Sequence, residues 1–193
     1  MAPLLPDVAR LCTSVFRDWP HLYAGDGQYD SAHLQTLATS PQSILVMAHD
    51  GDRPVGASTG LPLTDATENV RAPFLARGWP LRPFFYFAES VLLQPYRGRG
   101  VWASFLAVRE VHAQLVANCD FICACTIERS DDHPLFRSAD PKPLHAPLRR
   151  HGYAPVPDLR CTMTWREVGQ PADSDLSMLF WTKTLTGRPL PGR

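Results

Sequence analysis

Residues 84–117 constrain this chain more than any other stretch. Phe84 to Leu93 is an apolar run of strand length, Tyr96-Arg97-Gly98-Arg99-Gly100 is a turn, and Val101 to Ala117 carries a helical pattern. A strand that passes through two glycines straight into a helix leaves main-chain N–H groups uncovered by side chains. The positive end of the helix dipole adds to them. Such a turn is a socket for a phosphate group, and Arg97 and Arg99 place mobile positive charge beside it. The stretch therefore reads as the pyrophosphate site of a nucleotide-bearing cofactor.

The rest of the chain supplies a frame for that unit. Asp7 to Trp19 has apolar residues at Val8, Leu11, Cys12, Val15 and Phe16, the stripe of an amphipathic helix, and Ser31 to Thr39 reads as a second one. Ser43 to His49 and Pro54 to Leu61 form two strands around the turn signal Asp50-Gly51-Asp52-Arg53. Residues 62–83 read as a long loop with one helical turn at most. After the helix, whose inward stripe is read as Val101, Phe105, Val108, Val111 or His112, and Leu115, come a strand at Asp120 to Glu128 and a polar stretch, Arg129 to Pro141. A short helix over Leu144 to His151 and strands at Arg160 to Glu167 and Leu176 to Leu185 complete the order. The expectation is one mixed α/β domain over residues 1–185, with a central, largely antiparallel sheet of about six to seven strands and helices on both faces. Residues 186–193 read as a flexible tail.

Charge narrows the partners. Nineteen basic and nineteen acidic side chains cancel, so nothing draws the chain toward nucleic acid or an anionic membrane. No apolar run approaches the roughly 20 residues needed to span a bilayer, and no signal-peptide pattern opens the chain. A cytoplasmic location is expected. The five cysteines form no Cys-x-x-Cys pair and no histidine pair has metal-ligand spacing, so no disulfide framework and no metal are expected. Cys123 and Cys125 share one face of a strand and read as small buried hydrophobes.

Arg97-Gly98-Arg99-Gly100-Val101-Trp102 resembles the Arg/Gln-x-x-Gly-x-Gly/Ala motif of the GNAT superfamily of acyl-CoA-dependent N-acyltransferases. Its lead-in, Leu92 to Tyr96, is similar to that family's strand end, and Arg149-Arg150-His151-Gly152-Tyr153 looks like its Tyr-x-x-x-Gly-Phe helix end. The resemblance covers most of the chain and points to an uncharacterised bacterial branch. It implies acetyl-CoA as co-substrate, with backbone groups near Leu92 and Leu93 pairing with the pantetheine arm and the amides of Gly98, Arg99, Gly100, Val101 and Trp102 holding the pyrophosphate. Two positions depart from the pattern. The motif's last position is Trp102, whose indole must turn into the core for the phosphate to fit. The family's proton-donating Tyr aligns with Leu148.

Acetyl transfer to a primary amine needs a general base, since an ammonium has no lone pair. Glu89, an acid inside an apolar strand, is the candidate, set against a solvent-facing or Arg-paired role. His133 in Asp131-Asp132-His133-Pro134 is a second acid/base candidate, whereas His145 and His151 read as surface residues. The acceptor is a small-molecule or peptide amine, and a homodimer is possible. Two other readings compete. One is a GNAT-type fold that binds acyl-CoA without turnover. The other is a dinucleotide-dependent oxidoreductase, because Gly98-x-Gly100-x-x-Ala103 satisfies Gly-x-Gly-x-x-Gly/Ala and Glu128 closes the next strand.

Overall fold

The computed structural model describes residues 2–25, 31–130, 132–133 and 144–192. Six strands form one sheet in the order β1-β2-β3-β4-β6-β5. They are β1 (Ile44–Asp50), β2 (Arg53–Pro62), β3 (Phe84–Leu92), β4 (Phe121–Ile127), β5 (Ala154–Arg166) and β6 (Asp173–Thr184). Every neighbouring pair is antiparallel except β3 and β4, which α4 (Val101–Leu115) joins as a parallel crossover. This mixed, mostly antiparallel sheet is the fold class the sequence implied. It is not the doubly wound parallel sheet that a dinucleotide-dependent oxidoreductase requires, and Glu128 is instead held by Arg160 at 2.7 Å.

Alternation along β3 divides the core. Phe84 and Tyr86 pack in one apolar cluster with α3 (Glu68–Ala76), while Phe85 and Phe87 pack on the other face with α4 and α5 (His145–Arg150). A third cluster seats α1 (Leu5–Phe16) and α2 (Ser31–Thr39) on Ala57 of β2 and Val91 of β3. Gly56 and Gly60 are small for this packing: a Cβ there would stand 2.7 Å from Leu92 and 2.6 Å from Phe85.

Three elements differ from the sequence reading. The 62–83 stretch holds a 3₁₀ turn (Leu63–Asp65) and the nine-residue helix α3. Pro73 hid that helix from its pattern. The burial of Val70 and Phe74 holds it, with Phe74 edge-on to Phe84 at 5.2 Å and Phe180 at 4.9 Å. Strand β5 starts at Ala154, six residues before the expected Arg160, because a register shift between Pro155 and Arg160 accommodates its prolines. The inward face of α4 is Phe105, Leu106, Arg109 and Ala113, so Val108, Val111 and Leu115 face out, Leu115 at 76% exposure. Beyond β6, Thr186 and Arg188 both bond Asp120, and Leu190 packs against the first cluster.

Candidate functional site

The turn between β3 and α4 has the shape its glycines demand. Gly98 and Gly100 have φ of +77° and +83°, the left-handed region, and a Cβ at either position would meet nothing within 4 Å. Open space therefore lies over both residues, and α4 starts directly after Gly100 with its first amides free of a side-chain cap. This cradle fits a phosphate. The Arg97 Nε donates to the Leu92 carbonyl at 3.0 Å, and the Arg99 guanidinium lies over the Tyr96 ring at 5.5 Å.

A cleft of about 710 Å³ runs from this turn into the sheet. It exists because β3 and β4 pair only from Phe84↔Phe121 to Phe87↔Ala124 and then part. Ser90 and Leu92 line one wall, Cys125, Thr126 and Ile127 the other. Of the residues expected here, Leu92, Arg97, Gly98, Gly100, Val101 and Trp102 line the cleft. Leu93 and Arg99 do not. The Leu93 N–H is bonded to the Val55 carbonyl at 2.9 Å, on the β2 side. The Trp102 indole packs partly into the second core cluster and stands edge-on to His151 at 5.4 Å, forming cleft wall. Leu148 is buried, and the nearby Tyr153 hydroxyl is bonded to Glu110 at 2.7 Å. Among the described residues no tyrosine lines the cleft.

The strand β3 parts from β4 where its pairing with β2 also slips. Ser58 faces Ser90 and Gly60 faces Phe87, so Ala88 and Glu89 together stand opposite Thr59. The slip aims Glu89 at the α1 side. Its side chain is only 2% exposed, and its carboxylate accepts a hydrogen bond from the Thr59 hydroxyl, whose oxygen in turn accepts the Glu89 N–H at 3.0 Å. That burial removes the solvent-facing alternative. On the opposite face, the bulge's carbonyls are met by Arg109, which is 0% exposed. Its Nη1 donates to the Thr59 carbonyl (2.9 Å) and the Glu89 carbonyl (3.3 Å), and its Nη2 to the Ser90 hydroxyl (2.8 Å). The guanidinium also lies 3.9 Å from the Phe87 ring centroid. Burial pulls its pKa down to about 10, so it stays charged at neutral pH. The charge on Arg109 kept it out of the apolar stripe expected of α4, and this shifted the phase of the reading.

Glu89 lines a second cavity of about 530 Å³, together with side chains from α1, β4, β5 and β6. The two cavities share Phe16, His21 and Cys125. The segment after α1 is tied over this junction. Arg129 donates to the carbonyls of Pro20 (2.8 Å) and His21 (3.2 Å) and pairs with Glu167, and Trp165 Nε1 donates to the His21 carbonyl at 3.0 Å. Burial, with Arg129 beside it, holds the His21 ring down to a pKa of about 4. The Tyr86 hydroxyl, pushed well up by burial, lies 3.3 Å from Cys125 Sγ. Burial also pushes up the thiols of Cys12 and Cys123, and Cys119 to about 11, which leaves them protonated and unreactive.

Several of these residues escape sequence reasoning. His21 and Tyr23 sit in a loop without a motif, and their signal was only the density of rings in Trp19-Pro20-His21-Leu22-Tyr23. His145 and His151, expected at the surface, both line the cleft, as does Arg150. His133 packs its ring 5.3 Å from Trp19, while Asp131 and Pro134, which framed its acid/base reading, lie outside the described residues. Among the described residues no cluster of His, Cys, Asp and Glu could hold a metal ion, and no helix is long and apolar enough to cross a membrane.

No family model matches the sequence, and no curated protein matches it. Solved structures do match the fold. An acetyltransferase from Thermus thermophilus is 17% identical, with a TM-score of 0.55 over 93% of this chain and 92% of that one. The ribosomal-protein-alanine N-acetyltransferase from Brucella melitensis is 14% identical, with a TM-score of 0.57 over 96% of both chains. An aminoglycoside 6'-N-acetyltransferase complexed with coenzyme A is 16% identical, with a TM-score of 0.55 over 97% and 94%. The chain has the fold of the GNAT superfamily.

Proposed function

We propose that the chain is an N-acetyltransferase that moves an acetyl group from acetyl-CoA to a primary amine. The observation that carries this reading is the meeting of two cavities at Phe16, His21 and Cys125. One runs back to a glycine cradle at a helix start, and the other holds a buried carboxylate. Amides from Gly98 to Trp102 hold the pyrophosphate, with Arg97 and Arg150 at the cleft adding charge, and the main chain of Leu92 and its neighbours meets the amide-bearing arm. Bound there, acetyl-CoA supplies an activated acetyl thioester at the junction. Glu89 takes the proton from the attacking amine, directly or through one water, as the nitrogen forms its bond to the acetyl carbon and the C–S bond breaks. Thr59 fixes the carboxylate's direction, and Arg109 holds the bulge that aims it. With Leu148 in place of a tyrosine, the departing thiolate takes its proton from solvent.

The same position favours one second reading, a fold that binds acyl-CoA without turnover. Titration calorimetry with acetyl-CoA, followed by a thiol-release assay against primary amines, separates the two. Gly100→Val, which forces a branched side chain into a left-handed backbone and tilts the helix start, is expected to weaken acetyl-CoA binding about a hundredfold. Undiminished binding by that variant would remove the cradle from the argument. Binding without thiol release for any amine leaves the second reading.

A further inference from the structure

The sheet ends at β5, and the main-chain groups along its outer edge are only partly used. The Asn69 side chain donates to the Thr162 carbonyl at 3.0 Å, and the Ala24 N–H donates to the Arg166 carbonyl at 2.8 Å. From Arg160 to Arg166 the pairing with β6 runs without a slip, so successive residues turn their main chains alternately toward β6 and away from it. Thr164 stands midway between two residues whose carbonyls point outward, and its own N–H and C=O therefore point outward too. Its hydroxyl is bonded to Asp175 at 2.6 Å, but among the described residues those two main-chain groups have no partner. Thr164 also lines the Glu89 cavity where it opens at this edge, together with Gly25, Thr67 and Asn69. From there the lining crosses the strands in their spatial order, with Met163 on β5, Met178 on β6, Cys125 on β4 and Glu89 on β3. Three strand spacings separate the two ends, roughly 14 Å.

We infer that the acceptor is the N-terminal amine of an extended peptide, whose main chain exchanges two hydrogen bonds with Thr164 at the sheet edge. An extended chain advances ~3.4 Å per residue, so about four residues span the distance from Glu89 to that edge. The free amine then lies at the carboxylate while the main chain near the fourth residue meets the gap, a short form of strand addition. The window is narrow. Asn69 and Ala24 cap the edge on either side, which leaves room for one hydrogen-bonded pair and no long added strand. Thr67 and Asn69 offer polar atoms to the amides that pass between them and β5, and Met163, Trp165 and Met178 adapt to the side chains beyond. A lysine side chain is too short to carry its amine from the edge to β3. This inference rests on the acetyltransferase reading for its chemistry but not for its binding.

The test separates the two. Calorimetric titration of the protein, with and without coenzyme A, uses a series from alanine amide to Ala-Ser-Ala-Ser-Ala-Ser amide, each with a free amino terminus. Affinity is expected to rise about tenfold between the dipeptide and the pentapeptide, from two added main-chain hydrogen bonds, and then to level off. Thr164→Pro removes the outward N–H without touching the β6 ladder, a change that an edge strand accepts, and is expected to erase most of that rise. Thr164→Val keeps the N–H, loses only the hydroxyl, and is expected to retain the rise. Equal affinity of the wild type for alanine amide and the hexapeptide, or the same length dependence in both variants, would overturn the inference even if acetyl transfer to another amine were observed. A rise with length that Thr164→Pro abolishes, without acetylation of any peptide by acetyl-CoA, would uphold the edge and defeat the transferase reading instead.

Discussion

The glycine cradle's cleft and the Glu89 cavity lie on either side of one shared wall, but they are built by different means. The cradle is made by the main chain of a single short segment. Its donors are amides, and its side-chain demand is that Gly98 and Gly100 carry none. The cavity is made by side chains from five separate segments, converging from residues 16–25, 67–69, 86–89, 125 and 163–178. A backbone site tolerates change around it and fails when its two torsions are lost. A side-chain site fails gradually and in specificity first, since each wall contributes a part. The side chains that belong to both cavities are Phe16, His21 and Cys125, and the bulge at Thr59 and Glu89, plugged from behind by Arg109, sits next to them in β3.

The largest expected effect falls on the cavity alone. Glu89→Gln keeps the hydrogen bond to Thr59 but removes the proposed base, and kcat is expected to fall about a thousandfold with acetyl-CoA affinity within twofold. Comparable losses of kcat and acetyl-CoA affinity would mean the carboxylate shapes the cleft instead of removing a proton. Next comes Arg109→Met, which fills the space but leaves the Thr59 and Glu89 carbonyls without their partner. A loss of about 3 kcal/mol is expected, roughly 10 °C in Tm, and both acetyl-CoA affinity and kcat should fall together. If only one of them moved, the bulge would serve that side alone.

The smallest effect sharpens the account of the junction. His21 titrates near 6.5 when unfolded and near 4 in the fold. The unfolded chain therefore takes up its proton first as pH falls, and stability is full above about pH 6.5 and lost progressively down to about pH 4. Within that window the slope is at most about 1.4 kcal/mol per pH unit. Thermal melts of wild type and His21→Leu from pH 7.5 to 4.5 should show a shallower acid limb in the variant. Identical limbs would place the His21 ring in water.

How much of this was legible in the sequence follows from the same contrast. The β3–α4 unit was readable because its information is local: an apolar run, two glycines, a periodic helix. Glu89 stood out as a charge in an apolar strand. The second cavity was not readable, since Met163, Trp165, Tyr86 and Phe16 approach each other only after β5 and β6 are laid beside β4. Helix α3 was obscured by Pro73, and the true face of α4 by Arg109, whose charge disguised a core position. In both cases tertiary packing overrode a local rule.

The shared wall has a kinetic meaning. For the proposed transfer, two compartments that meet at Phe16, His21 and Cys125 can be filled at the same time, so the acyl donor need not depart before the second reactant arrives and no enzyme-bound acyl carrier is called for. Initial velocities measured at several fixed concentrations of one reactant should give double-reciprocal lines that intersect; a parallel family would mean that a side chain at the partition, Cys125 foremost, takes the group in transit.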